Sequence, residues 1–155
     1  MSRSYKAGET WQKNPVRLRR GKTTQQIERI LVATDRSETA ELAVAFASDM
    51  AERYEAELLL LRVLLCDDGV LAEAARELAE HARDLAGERG RSSVVVAEDP
   101  AEAIIEAVRR EHADVVVVGS VGMSGRKEFL LRNVPNRISH NVPCTVVIVQ
   151  THGAE

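Results

Sequence analysis

Two aliphatic runs constrain the fold of this chain more than any other feature. Val115-Val116-Val117-Val118 and Thr145-Val146-Val147-Ile148-Val149 are short and lack polar alternation. Runs of this kind read as parallel strands covered on both faces. Gly119 ends the first, and a turn-rich loop, Ser120 to Lys127, follows it. A helical segment then runs from Glu128 toward Asn141, and Pro143 stops it. Strand, glycine loop, helix and strand in succession aim backbone N–H groups and a helix N-terminus past the first strand, an arrangement suited to phosphate.

The chain upstream repeats the alternation. Ile27 to Thr34 reads as a first strand and Asp35-Arg36-Ser37 as its turn, with Ser37 capping a helix that carries Glu38 and Glu41 near its start. Ala40, Ala43, Val44, Ala47, Met50, Ala51 and Tyr54 recur at helical spacing. Leu58 to Leu65 reads as a second strand, interrupted only by Arg62, and Val70 to Gly87 as a second helix with Gly87 and Gly90 as stop signals. Ser93 to Ala97 reads as a third strand, and Asp99-Pro100 opens a third helix with Ala103, Ile104, Ala107 and Val108 inward. Five strands alternating with four helices predict an α/β doubly wound parallel sheet joined by right-handed crossovers. Alternation alone leaves the strand order open.

Composition sets limits on function. The chain has 155 residues, enough for one domain, and only 3% are aromatic, which argues against a base-stacking surface for nucleic acid. The net charge of -3 is uneven. Arg3, Lys6, Lys13, Arg17, Arg19, Arg20 and Lys22 against Glu9 make residues 1–26 +6, which leaves -9 for the remainder. That segment reads as a flexible basic arm, or as one that docks on a partner or on the acidic remainder with Trp11 as anchor. Its Gly21-Lys22-Thr23 is no P-loop, because Val16 stands where the leading glycine is required. Residues 27–151 form the expected domain and 152–155 a tail. Cys66 and Cys144 are the only cysteines and read as reduced thiols in a cytoplasmic protein. No apolar run is long enough for a membrane span, and no apolar stretch follows the basic N-terminal residues to make a secretory signal.

The chemistry-bearing candidates are few. Asp35 follows strand one, and Gly119 and Gly122 follow strand four. In a sheet ordered 3-2-1-4-5 those two strand ends are neighbours and the crevice between them is the site. Asp35 reads first as a turn aspartate that caps a helix, and second as an acceptor for a ribose or base donor. Arg126 and Lys127 read as exposed turn cations. His81, His112, His140 and His152 lack metal-ligand spacing, and His140 suits the end of a helix. Asp67 and Asp68 beside Cys66 disfavour a thiolate there, and Cys144 reads as a buried small hydrophobe. No nucleophile, base and orienting group assemble, so no catalytic residue and no metal site is assigned.

From Ile27 to Thr151 the sequence resembles the universal stress protein family. The matching features are Ile30-Leu31-Val32-Ala33-Thr34-Asp35 with Ser37, the strand Leu61-Arg62-Val63, and Val117-Val118-Gly119-Ser120-Val121-Gly122-Met123-Ser124-Gly125. Phe129-Leu130-Leu131, Val134 and the closing Ile138 to Val149 continue the match. The resemblance implies strand order 3-2-1-4-5 and a homodimer, and the apolar edge strand Thr145–Val149 is the expected contact. It implies an adenine nucleotide, ATP with magnesium, beside Ala33, Thr34, Asp35 and Val63 and along Gly119, Gly122 and Met123. In the family's ATP-binding branch the loop reads glycine, two residues, glycine, nine residues, glycine, then serine or threonine. Here Arg132 and Asn133 occupy the last two places. Arg132 can block the phosphates or pair with them, and Asn133 can stand in for the hydroxyl. The expected function is a stress-response or signalling module that binds nucleotide with little turnover, a weak ATPase at most, and acts on a protein partner the sequence does not name. The alternative is a member of the family that binds no nucleotide and serves as a dimeric scaffold.

Overall fold

The computed structural model describes residues 26–120 and 134–150. Their elements are β1 (Arg29–Ala33), α1 (Glu38–Tyr54), β2 (Glu57–Leu64), α2 (Leu71–Ala86), β3 (Gly90–Val96), α3 (Pro100–Glu111), β4 (Val115–Gly119), α4 (Val134–Asn141) and β5 (Thr145–Val149). A 3₁₀ turn, Gly87–Arg89, links α2 to β3. All pairings are parallel and the order is β3-β2-β1-β4-β5, as expected. Residues 128–133 of the expected last helix, residues 1–25 of the basic arm and the 152–155 tail lie outside the described residues.

Side-chain alternation along the strands makes two cores. Ile30, Val32, Leu58, Leu60, Val115 and Val117 face α1 and α2, where Ala43, Val44, Ala47, Leu78 and Ala82 cover them. Leu31, Leu59, Leu61, Val63, Val116 and Val118 face α3 and α4, under Ile104, Ile105, Val108 and Ile138. Alanines on the inner face of α1 let its backbone lie close to the sheet. Each Leu or Ile removed from water in these layers contributes about 1.5–3 kcal/mol.

Local chemistry sets the helix ends. Ser37 Oγ accepts the Ala40 N–H at 3.2 Å and caps α1. Asp99 Oδ1 accepts the Glu102 N–H at 3.3 Å, with Pro100 in the first turn of α3. α2 begins after Val70 with no side-chain cap and ends at Gly87, whose φ is 57°.

Four of the five strands have boundaries one to three residues from the sequence reading, and β2 is shifted by one residue at each end. β1 is shorter at both ends than Ile27–Thr34, because the Glu28 N–H donates to Asp114 Oδ2 at 2.8 Å before the ladder is established. β4 runs one residue further, to Gly119, which registers with Val149. β3 starts at Gly90, three residues before Ser93. Gly90 is therefore a strand residue, paired with Leu58, rather than a helix stop. Its role is steric, since a Cβ at this position would run into the backbone carbonyl of Ala82 in α2.

The amino end of the sheet is tied by charge. Glu57 pairs with Arg29 at 3.3 Å and with Arg91 at 3.6 Å, and Arg91 reaches Glu111 at 3.2 Å. Asp114 Oδ2 also accepts the Arg29 N–H at 2.9 Å. No helix among the described residues is long and apolar enough to cross a membrane.

Gly90→Ala forces β3 and α2 apart, since the obstruction is backbone and cannot rotate away. It is expected to cost about 1–3 kcal/mol, read from the urea midpoint at unchanged slope. Wild-type stability in this variant would refute the close approach.

Candidate functional site

The sheet reverses direction of winding between β1 and β4, and their carboxyl ends splay there. Ala33, Thr34 and Asp35 leave the end of β1, Leu61 and Val63 lie on β2, and Val118 and Gly119 end β4. Ser37 and Ala40 come from the start of α1, Pro100 and Ile104 from the first turns of α3, and Val134 and Pro135 from α4. Together these residues enclose a cleft of about 570 Å³, open solvent at its mouth included.

The polar rim is held by its own turn. Thr34 is 5% exposed and is the buried polar residue among the described side chains. Its N–H donates to the Leu61 carbonyl at 2.9 Å, and its Oγ1 accepts the Arg36 N–H at 3.0 Å. Arg36 is left-handed, with φ 68°, a conformation that costs a non-glycine residue about 1 kcal/mol or more. The Thr34 bond and an ion pair from Arg36 to Glu41 at 3.0 Å hold it there. Asp35 Oδ1 accepts the Ser37 N–H at 2.9 Å, so Asp35 does have the turn role read from the sequence. It also lines the cleft, where it is the one ionisable side chain among the described lining residues.

The walls are apolar. Leu61, Val63, Ile104 and Val118 belong to the core under α3 and α4, and they extend that core to the surface. Beside this apolar surface lie the polar side chains of Thr34, Asp35 and Ser37, which can accept or donate hydrogen bonds. His81, His112 and His140 do not line the cleft, and no group of three metal-ligating side chains exists among the described residues.

Five of the sequence-derived site residues therefore share one cleft, namely Ala33, Thr34, Asp35, Val63 and Gly119. Gly122, Met123, Arg132 and Asn133 lie outside the described residues. The sequence reading missed the α3 wall of Pro100 and Ile104, and also Leu61, Val118 and Pro135. One signal was present for α3: a crossover from an outer strand to β4 must carry its helix past the ends of β2 and β1.

The α3 and α4 walls are linked by charge. Arg137 Nη1 donates to Asp99 Oδ1 at 2.8 Å. Burial pushes the Asp99 carboxyl up. The Arg137 hydrogen bond, the Glu102 N–H, the Arg137 charge and the Ala101 N–H outweigh it and hold the group below its ordinary range. Cys144 is partly buried rather than fully so, and burial, with Asp114 nearby, pushes its thiol up against the Val116 backbone hydrogen bond. Cys66 is exposed and its Sγ donates to Asp68 Oδ2 at 3.2 Å.

The sequence model of the Universal stress protein family matches residues 26–150. This chain belongs to that family. Universal stress protein YxiE of Bacillus subtilis is 27% identical over 145 residues, covering 79% of this chain and 98% of the relative. Universal stress protein MJ0531 of Methanocaldococcus jannaschii is 27% identical over 139 residues, covering 79% of this chain and 82% of the relative. Among solved structures, a universal stress protein in complex with cAMP is 26% identical with a TM-score of 0.65, covering 81% of this chain and 99% of the other. The basic arm stands almost wholly outside the family match.

Asp99→Ala removes the α3 cap and the Arg137 partner and is expected to cost about 1 kcal/mol at neutral pH. A carboxyl whose folded pKa is depressed contributes stability above its unfolded pKa and loses it as pH falls through the folded value. The gap between wild type and variant should therefore narrow below about pH 4 in denaturation series across pH. A gap that stays constant into acid would contradict the ion pair.

Proposed function

We propose that this universal stress protein binds an adenine nucleotide, ATP with magnesium, in the cleft between β1 and β4. The observation that carries this reading is the pairing of an apolar slot, Leu61, Val63, Ile104 and Val118, with a polar lip, Thr34, Asp35 and Ser37. The base lies against Val63 and the ribose hydroxyls meet Asp35. A related protein of the same fold, 26% identical, has been solved with cAMP, an adenine nucleotide, and this supports the choice of base. Turnover is slow, and the protein works as a cytoplasmic stress-response module in which nucleotide shifts the population of conformers offered to a partner.

A second reading, a family member that serves as a scaffold without nucleotide, is favoured by Arg132 and Asn133 in place of glycine and a hydroxyl residue. Two measurements separate the readings. Freshly purified protein, denatured, should release an adenine nucleotide. Titrating ATP with magnesium should raise the thermal midpoint, since a ligand at 100 times its Kd adds about 2.7 kcal/mol to the native state. Val63→Glu places a charge against the base and should weaken binding at least tenfold. Arg132→Gly should tighten binding if the arginine obstructs the phosphates and weaken it if the arginine pairs with them. No released nucleotide and no shift at millimolar ATP leave the scaffold reading standing.

We further propose that two copies pair along β5. This strand lies at the edge of the sheet, and its Ile148 is 48% exposed. A large apolar side chain beside unpaired ladder groups favours strand addition by a second copy. Sedimentation at micromolar concentration should give a dimer for the wild type and a monomer for Ile148→Glu. A monomeric wild type would end this proposal.

A further inference from the structure

The amino end of the sheet has a groove of its own. It lies between the last turns of α1 and α2, with Ala51, Ala56, Leu85 and Ala86 as apolar lining and Glu52 and Arg89 on its rim. Its apolar lining is a shallow surface against which one large side chain can lie. Nothing in the proposed nucleotide cleft touches it, because that cleft is at the carboxyl ends of the strands.

Two observations identify an occupant. The first is position. Ile27 leads into β1 at this same end, and it packs on the core cluster that contains Ala51 and Ala56 and that Leu85 and Ala86 adjoin. The Glu28 carbonyl accepts the Glu57 N–H at 2.8 Å, so the chain entering β1 runs alongside the residue that follows Ala56 of the groove lining. The 16 residues from Trp11 to Ile27 span up to about 50 Å when extended, so reach is no obstacle. The second is charge. Residues 1–26 carry +6 and the rest of the chain -9. The helix ends that form the groove carry Asp49, Glu52, Glu55, Asp84 and Glu88 against Arg53, Arg83 and Arg89, all of them exposed.

We propose that this groove is the docking site of the chain's own basic segment, residues 1–26, with Trp11 as the anchoring side chain. An indole suits a partly polar groove, since it brings a large apolar face and one N–H donor. The lysines and arginines around it face the acidic helix ends, an attraction that salt weakens. The proposal does not depend on what fills the nucleotide cleft.

Trp11 is the chain's single tryptophan, so its fluorescence reports this contact directly. In the full-length protein its emission should be blue-shifted, and acrylamide should quench it several-fold less than in a peptide of residues 1–26. Glu52→Arg, a change at an exposed position, should move quenching toward the peptide value, as should raised salt. Ala86→Arg, which fills the groove, should do the same, with circular dichroism confirming the fold; if that variant fails to fold, Glu52→Arg decides. Three results would overturn the proposal. They are peptide-like emission and quenching in the wild type, protection that survives every folded variant, and protection that disappears on dilution, which would mean docking on another molecule.

Discussion

Strand β1 pairs on both sides, with β2 and with β4, and every other element takes its place from that double pairing. A parallel strand cannot return to its neighbour through a hairpin, so each pairing demands a crossover. The chain winds outward from β1 in one direction through β2 and β3, and in the other through β4 and β5. Right-handed crossovers then put α1 and α2 on one face and α3 and α4 on the other. The gap at the carboxyl end of β1 follows from that geometry, because the loops leaving β1 and β4 depart toward opposite faces.

This explains which features could be read from sequence. The central aliphatic runs of β1, β2 and β4 are buried on both faces, so composition alone marks them. β5 is equally aliphatic but lies at the edge with none of its residues fully buried, so there the reading of a strand covered on both faces does not hold. β3 is an edge strand, and its first half, Gly90-Arg91-Ser92-Ser93, resembles a loop in composition. It is a strand because it pairs with β2, a long-range fact that no local pattern carries. The cleft divides in the same way. Asp35 and Gly119, at the ends of adjacent strands, follow from the fold rule once the alternation is seen, whereas Ala33, Thr34 and Val63 are legible only through the family resemblance. Pro100 and Ile104 read as ordinary helix-start and core residues, and only the three-dimensional course of α3 makes them a wall.

The turn at Thr34–Ser37 shows how local and tertiary forces divide the work. Asp35 and Ser37 make hydrogen bonds that any short turn could make. The left-handed Arg36 is different, since its conformation is unfavourable without the Thr34 hydroxyl and the Glu41 carboxylate. The shape of the cleft's polar lip thus depends on a threonine buried just past the end of β1 and a glutamate one turn along α1.

Ile27 and Asp35 are eight residues apart in sequence yet stand at opposite poles of the sheet, because the extended strand between them advances about 3.3 Å per residue. The point where the chain joins the domain is thereby insulated from the point where a ligand would be met. The chain upstream of Ile27 can therefore change in length and charge without rebuilding the pocket. The requirements on the cleft and those on the chain that enters the sheet are thus separated by the length of one strand.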